Sequence, residues 1–384
     1  MNRLEILKSG QEDVYISGNP SSSFFRSVYR GSSSAYSYLF KEFPVTGSEF
    51  VFPKDLGDLV KNVYLKISLS GSVNRYFYDF IDYADFKIGG QTIQRLSGEM
   101  MFNYMTLVSG SNEIESLEKN ILSTNFVYVP LPFYFYNDMS KCIPLCALHK
   151  HHVSIDLKFR NLFGLTIKTL TYVVYYINLE EQEKKIFLNN ELQYTVTQVQ
   201  CFEERNISKE SFLFEKKINF INPVRELFFL CSPGVETFRT DFGSSFFLTD
   251  YSYNNSSDAT VFRPDWLPHM SNIKLFLNGE IAIDLHEQYL SSMVPTTKYL
   301  YPMNFIQRYG YVYSFAENPM NNYNTGSVNM SRIRDQTVHI NFESTSLSGI
   351  RSLRIYAVSY NILKVRDGLG GLMFLSNNNY DIKI

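Results

Sequence analysis

FVYVPLPFYFYNDMSKCIPLCALHKHHVSIDLKF, residues Phe126 to Phe159, opens on an aromatic and β-branched run and breaks at Asn137 and Asp138. It restarts at Pro144 and closes on the alternating set Val153, Ile155, Leu157 and Phe159. Side chains along a strand alternate between two faces, so those four share one face while Ser154, Asp156 and Lys158 share the other. The stretch reads as strand, turn, strand with one side in a core and one side wet, as in the wall of a sandwich or barrel. Tyr311 to Phe342, YVYSFAENPMNNYNTGSVNMSRIRDQTVHINF, repeats the plan. It has an aromatic strand, a polar turn around Asn318 and Pro319, and the alternating Val338, Ile340 and Phe342.

Working outward, two more features recur. Upstream of the first unit, Phe86 to Met105 reads as a tight hairpin at Gly89 and Gly90 followed by a short amphipathic helix from about Ser97 to Leu107. Upstream of the second, Ile273 to Val294 repeats the hairpin and helix, with Asn278 and Gly279 supplying the turn. Downstream of each unit comes an apolar strand, Thr171 to Leu179 and then Leu353 to Leu363. Three features therefore recur in one order at an offset of roughly 180 to 190 residues, the signature of an internal repeat. Val60 to Leu69 adds a half-buried strand, with Val63, Leu65, Ile67 and Leu69 on one face.

Each half offers about eight strands with one helix midway, the strand number of a jelly roll. The predicted fold is all-β: two tandem eight-stranded jelly-roll β-sandwiches, each with a short inserted helix. An immunoglobulin-like sandwich fits less well, because its Cys and Trp framework is missing and the helix is extra. The expected layout is an N-terminal arm over 1–26, a first jelly roll over 27–182, a connector over 183–190 and a second jelly roll with a C-terminal tail over 191–384. The connector lies in the charged segment EEQEKKIFLNN, Glu180 to Asn190.

Composition agrees with that class. Of 384 residues, 45% are hydrophobic and 16% aromatic, with 28 Tyr and 32 Phe, so strand formers dominate. A net charge of -2 gives no electrostatic footprint for a phosphate backbone, and direct nucleic-acid binding is not expected. No stretch approaches the about 18 uninterrupted apolar residues of a membrane helix, and the N-terminus lacks a run of signal-peptide length. The expectation is a soluble chain made in the cytosol, with reduced thiols at Cys142, Cys146, Cys201 and Cys231.

One cluster has metal-ligand residue types: Cys142, Cys146, His149, His151 and His152. In an extended strand His151 and His152 point to opposite faces and Pro144 interrupts the approach, so four ligands do not converge and no metal is predicted. There is no Gly-x-Ser-x-Gly elbow, no HExxH and no alternation of strands and helices that would hold a cofactor, so neither catalytic residues nor a cofactor are predicted. Gly368, Gly370 and Gly371 follow a terminal strand with no helix behind them and are expected to form a flexible tail. Sequons at Asn206, Asn254, Asn255 and Asn329 should stay unmodified in a chain without a signal peptide.

A series of motifs then resembles a known family. GQED (Gly10 to Asp13), GNP (Gly18 to Pro20), Phe24-Phe25 and DLV (Asp58 to Val60) come first. IGGQ (Ile88 to Gln91), PLPFYF (Pro130 to Phe135) and IPLCALHKHHVSIDLKF (Ile143 to Phe159) follow. The second half carries SFAENP (Ser314 to Pro319), GSVNMSRI (Gly326 to Ile333) and YAVSYNILKVRDGLGGL (Tyr356 to Leu372). Together they resemble the double jelly-roll major capsid proteins of nucleocytoplasmic large DNA viruses over nearly the whole chain. The chain is short for that group, so its outward loops should be modest.

The resemblance implies a viral capsid protein, a non-enzymatic shell block in the virion, assembled in the host cytoplasm. It implies homotrimers whose six jelly rolls give a pseudo-hexameric capsomer that tiles an icosahedral facet. Expected partners are further copies of the chain, with minor capsid proteins, penton proteins or an inner membrane reached by the N-terminal arm. Leu4, Ile6 and Leu7 are the anchoring side chains of that arm. Two alternatives stand beside this reading: a minor capsid or scaffolding protein of the same fold, and a tandem β-sandwich glycan-binding module using the polar loop Ser232 to Asp265.

Overall fold

The computed structural model describes residues 35–45, 47–70, 78, 81–108, 126–159, 166–208, 211–233, 270–299, 310–321, 323–342 and 350–374. Its first strands are β1 (Tyr36–Pro44), β2 (Glu49–Val51), β3 (Leu59–Ser70), β4 (Ile81–Ile88) and β5 (Gln91–Ser97). Helix α1 (Gly98–Val108) follows, then β6 (Phe126–Pro130), the two-residue β7 (Ile143–Pro144), β8 (Val153–Phe159) and β9 (Thr166–Leu179). They form two antiparallel sheets, one ordered β1-β9-β3-β6 with β7 also on β3, the other ordered β2-β8-β4-β5. Apart from the β4–β5 hairpin, neighbours in each sheet are far apart in sequence. That interleaving of first with last strands is the jelly-roll topology.

Helix α2 (Glu181–Asn189) then leads into β10 (Leu192–Ser208), β11 (Leu213–Lys217), β12 (Pro223–Pro233), β13 (Met270–Leu277) and β14 (Glu280–His286). A π-helical turn at Tyr289–Met293 runs into α3 (Val294–Lys298). Then come β15 (Tyr311–Ser314), β16 (Val328–Asn329), β17 (Gln336–Phe342), β18 (Ile350–Arg366) and β19 (Leu369–Leu372). The sheets are ordered β10-β18-β12-β15 and β11-β17-β13-β14, which is the first order repeated strand for strand. Both predicted hairpins are present. Gly89 and Gly90 (φ 57 and 82) join β4 to β5, and Asn278 and Gly279 (φ 52 and 85) join β13 to β14. Positive φ at both central residues gives the turn whose twist matches its strands.

Even a fine irregularity recurs. The β3–β9 pairing skips Lys61 between Val60 and Asn62, and the β12–β18 pairing skips Arg225 between Val224 and Glu226. A bulge leaves one residue unpaired and sharpens the local twist. Here it falls at the same place in both rolls, on a basic residue each time.

Two expectations need correction. Phe126 to Phe159 does hold two strands with the predicted parity, since Val153, Ile155 and Leu157 are buried. They are not hydrogen-bonded to each other, however: β6 pairs with β3 in one sheet and β8 with β4 and β2 in the other. The intervening turns carry the chain across the core. Ser154, assigned to the wet face, is fully buried.

The second correction concerns the expected flexible tail at Gly368, Gly370 and Gly371. β19 folds back on β18 through Asp367 and Gly368 (φ 53 and 84), pairing Leu363 with Leu372 and Val365 with Gly370. Asp-Gly is the tight-hairpin signal in its plainest form, and it outweighs the lack of a following helix.

Candidate assembly surfaces

The two rolls share a packed interface built by the outer face of one sheet. On β12, Leu227, Phe229 and Cys231 point into the second roll's core, while Phe228 and Leu230 join the cluster that contains the first roll's core. On β18, Ile355 and Ala357 face inward, and Tyr356 and Val358 face the first roll. Period-2 alternation is therefore buried on both sides, and the strand reads as an almost unbroken apolar run.

The first roll presents the end of β5 and helix α1 to that face. Ser97 caps the helix, accepting from the Met100 amide at 3.1 Å. Next to the cap, Glu99 is 3% exposed, and its Oε1 accepts from Arg354 Nη2 at 2.7 Å. Its Oε2 accepts from the Tyr356 hydroxyl at 2.6 Å. Glu99 thus sits at a helix N-terminus, where a carboxylate is favoured, and spends its charge across the interface. Gln198 on β10 donates to the Ile93 carbonyl at 2.9 Å, fastening β10 to β5.

Also on α1, Met100 and Tyr104 face Thr197, Val199, Val358 and Arg225 across a cavity of about 30 Å³. Arg225 is itself buried and paired to Glu226, which also accepts from the Tyr299 hydroxyl. Burial works against the guanidinium charge, but Glu226 beside it more than offsets that and holds the Arg225 pKa above its usual value. Burial likewise pushes the Tyr299 hydroxyl well above the ordinary tyrosine range. Such a network leaves no charge alone in a low-dielectric setting, the condition under which buried ions are tolerated.

A second clasp lies at the β18–β19 hairpin. Gly370 N and O both lie 3.2 Å from His151 Nδ1, and the Lys150 amide donates to the Gly368 carbonyl at 3.1 Å. A Cβ on Gly368 would stand 2.5 Å from His149 Nε2. His149 and His151 are therefore spent on interlocking the rolls, and both precede the strand that begins at Val153. Cys142 is buried among Leu59 and Ile177, and burial pushes its thiol up to about 11. Cys146 is pushed up to about 11 in the same way.

The corresponding face of the first roll is open. On β1, Tyr36, Tyr38 and Phe40 are 48%, 44% and 54% exposed, and on β6, Phe126 and Tyr128 are 41% and 40% exposed. Phe40 packs edge-on against Tyr175 at 3.9 Å, while Lys66 lies 5.0 Å over Phe126 and pairs with Glu42. A contiguous aromatic face of this kind on a sheet marks an interaction surface. A matching set of exposed apolar side chains, Ile281, Tyr289 and Met293, sits on the second roll at β14 and the turn after it. Sequence reasoning missed both surfaces. Parity alone names the outward residues of a strand but not whether a neighbour covers them.

Two sequence profiles match the chain. One, described as large eukaryotic DNA virus major capsid protein, covers residues 183–371, and the other, described as major capsid protein N-terminus, covers residues 46–200. The chain belongs to this family of major capsid proteins. Its role is that of a structural protein of the capsid. The major capsid protein of Pyramimonas orientalis virus is 24% identical over 97% of this chain and 98% of its own length. That of Paramecium bursaria Chlorella virus 1 is 22% identical over 96% and 98%. Among solved structures, VP54 of PBCV-1 superposes with a TM-score of 0.76 at 19% identity, over 92% of this chain and 100% of its own. The Faustovirus major capsid protein superposes at 0.67 with 9% identity, over 93% and 94%. The tandem jelly-roll fold is thus shared at identities where few individual side chains are.

Of the residues singled out in the sequence, Leu4, Ile6 and Leu7 lie outside the described residues. So does most of the polar loop proposed for glycans, from residue 234 onward.

Proposed function

We propose that three copies of this chain associate into a pseudo-hexameric capsomer that tiles the shell. One observation carries the reading: the strand order β1-β9-β3-β6 with β2-β8-β4-β5 is repeated as β10-β18-β12-β15 with β11-β17-β13-β14. The two rolls dock side to face, so each contact uses different patches on its two members. Such heterologous contacts close into rings, and a ring of six rolls built from doublets is three chains. Aromatic side chains on the open face suit a large, lasting contact.

In this reading the chain resides in the virion, is assembled in the host cytoplasm, and acts by packing rather than by catalysis. The segment 1–26 is an arm that reaches minor capsid proteins, penton proteins or an inner membrane, with Leu4, Ile6 and Leu7 as its anchors. The remaining segments are 27–182, 183–190 and 191–384 as expected from the sequence. Light scattering and negative-stain images of the purified full chain test the proposal. Six-lobed trimers are the expected result. A monomer at micromolar concentration, unchanged by salt, overturns it.

A further inference from the structure

The interface already formed inside the chain provides a template for the one that is still open. The shared bulge fixes which residues correspond. Val60, Lys61, Asn62 and Tyr64 of β3 match Val224, Arg225, Glu226 and Phe228 of β12. Reading across the pairings, Tyr175 and Thr171 of β9 match Val358 and Arg354 of β18. Tyr38 and Phe40 of β1 then match Thr197 and Val199 of β10. Those second-roll residues are the ones that receive α1. Their first-roll counterparts Tyr38 and Phe40 are among the most exposed aromatics of the described residues.

The other side of the contact corresponds as well. Counting from the ends of β5 at Ser97 and β14 at His286, Glu99, Met100 and Tyr104 match Gln288, Tyr289 and Met293. Met100 is buried against the second roll, whereas Tyr289 and Met293 are 47% and 52% exposed. The same two residue types recur at the same spacing in reversed order. Most telling is the polar pair. Where Glu99 meets Arg354, the counterparts are Gln288 and Thr171, so the charge is absent from both members together. An amide facing a hydroxyl can close the same gap without burying an ion, whereas a change in one member alone would leave a charge unpaired.

We propose that the open face of β1-β9-β3-β6 receives the segment Gln288 to Met293 of a second copy of this chain. Met293 and Tyr289 lie on Phe40, Tyr38 and Tyr175, and Gln288 faces Thr171. The proposal rests on the trimer reading above and names the surfaces that reading leaves undefined.

The test uses the full chain and sedimentation velocity across a concentration series, with thermal melting of each variant. Phe40→Asp and Gln288→Glu are both at exposed positions, so the dissociated chains stay folded and their melting shifts by only a few degrees. Each is expected to raise the concentration at half-assembly at least tenfold. Thr171→Arg combined with Gln288→Glu rebuilds the Glu99–Arg354 pair at the second site and is expected to restore assembly. If the wild type forms trimers and the single variants assemble equally well, these surfaces are wrong while the trimer stands. Single-variant loss without rescue by the double variant overturns the Gln288–Thr171 pairing. A wild type that remains monomeric throughout removes both the proposal and the trimer.

Discussion

The two outward sheet faces of this chain share a topology and a bulge, yet one is the inside of an interface and the other is open. On β10-β18-β12-β15 the outward positions carry Thr197, Val199, Val358 and the buried ions Arg354 and Glu226. On β1-β9-β3-β6 the same positions carry Tyr38, Phe40, Tyr175, Thr171 and Asn62. The lesson is that a covered face can hold ion pairs because both partners are fixed by one chain. At the matched contact positions the open face carries aromatics and neutral polar groups, which cost little while unpartnered, and its Lys66–Glu42 pair is likewise held within one chain.

That contrast can be broken by matched substitutions. The largest difference is expected between Val199→Asp and Phe40→Asp. The first buries an unpaired carboxylate and should destabilise the chain by more than about 4 kcal/mol, the second by about 1 kcal/mol or less in dissociated chains, as read by urea unfolding. Next, Glu99→Ala leaves the Arg354 guanidinium short of its main counter-charge and should cost about 3–5 kcal/mol, while Gln288→Ala at the matching exposed position should stay within about 0.5 kcal/mol. A smaller effect of about 1–3 kcal/mol is expected for Gly368→Ala, where positive φ and the His149 ring both oppose a Cβ. A melting point unchanged from wild type would mean that the β18–β19 hairpin does not hold the rolls together.

The mildest expectation concerns thiol chemistry. Only the thiolate reacts, and burial raises Cys142 and Cys146 to about 11, so at pH 8 both are almost wholly protonated. Labelling by a disulfide reagent should be slow in the folded chain and fast in urea. Rapid labelling of folded protein at pH 8 would show that the loop from Asn137 to His149 opens readily.

Much of this fold was legible because the relevant signals are local. Alternation in Val153 to Phe159 and Gln336 to Phe342, and the Gly-Gly and Asn-Gly turns, each depend on a few adjacent residues. The duplication was legible through repetition, but the sheet order was not, since β1 finds β9 across 130 or so residues and no local pattern encodes that. The assembly surfaces were not legible at all. Phe40 and Phe228 look alike in sequence, and only the three-dimensional arrangement tells which one is covered. The Asp367-Gly368 turn is an equally local signal, but the glycine-rich run after it has the composition of a flexible tail.

In each roll the last long strand lies between the first and third, as β9 does between β1 and β3 and β18 between β10 and β12. A ribosome must therefore finish a roll's final strand before that sheet can close, and the β19 segment that grips His149 and His151 emerges later still. Chains cut short before β19 would keep the packed face of β12 but lack this second clasp between the rolls. This clasp is thereby the last inter-roll contact to become available during translation.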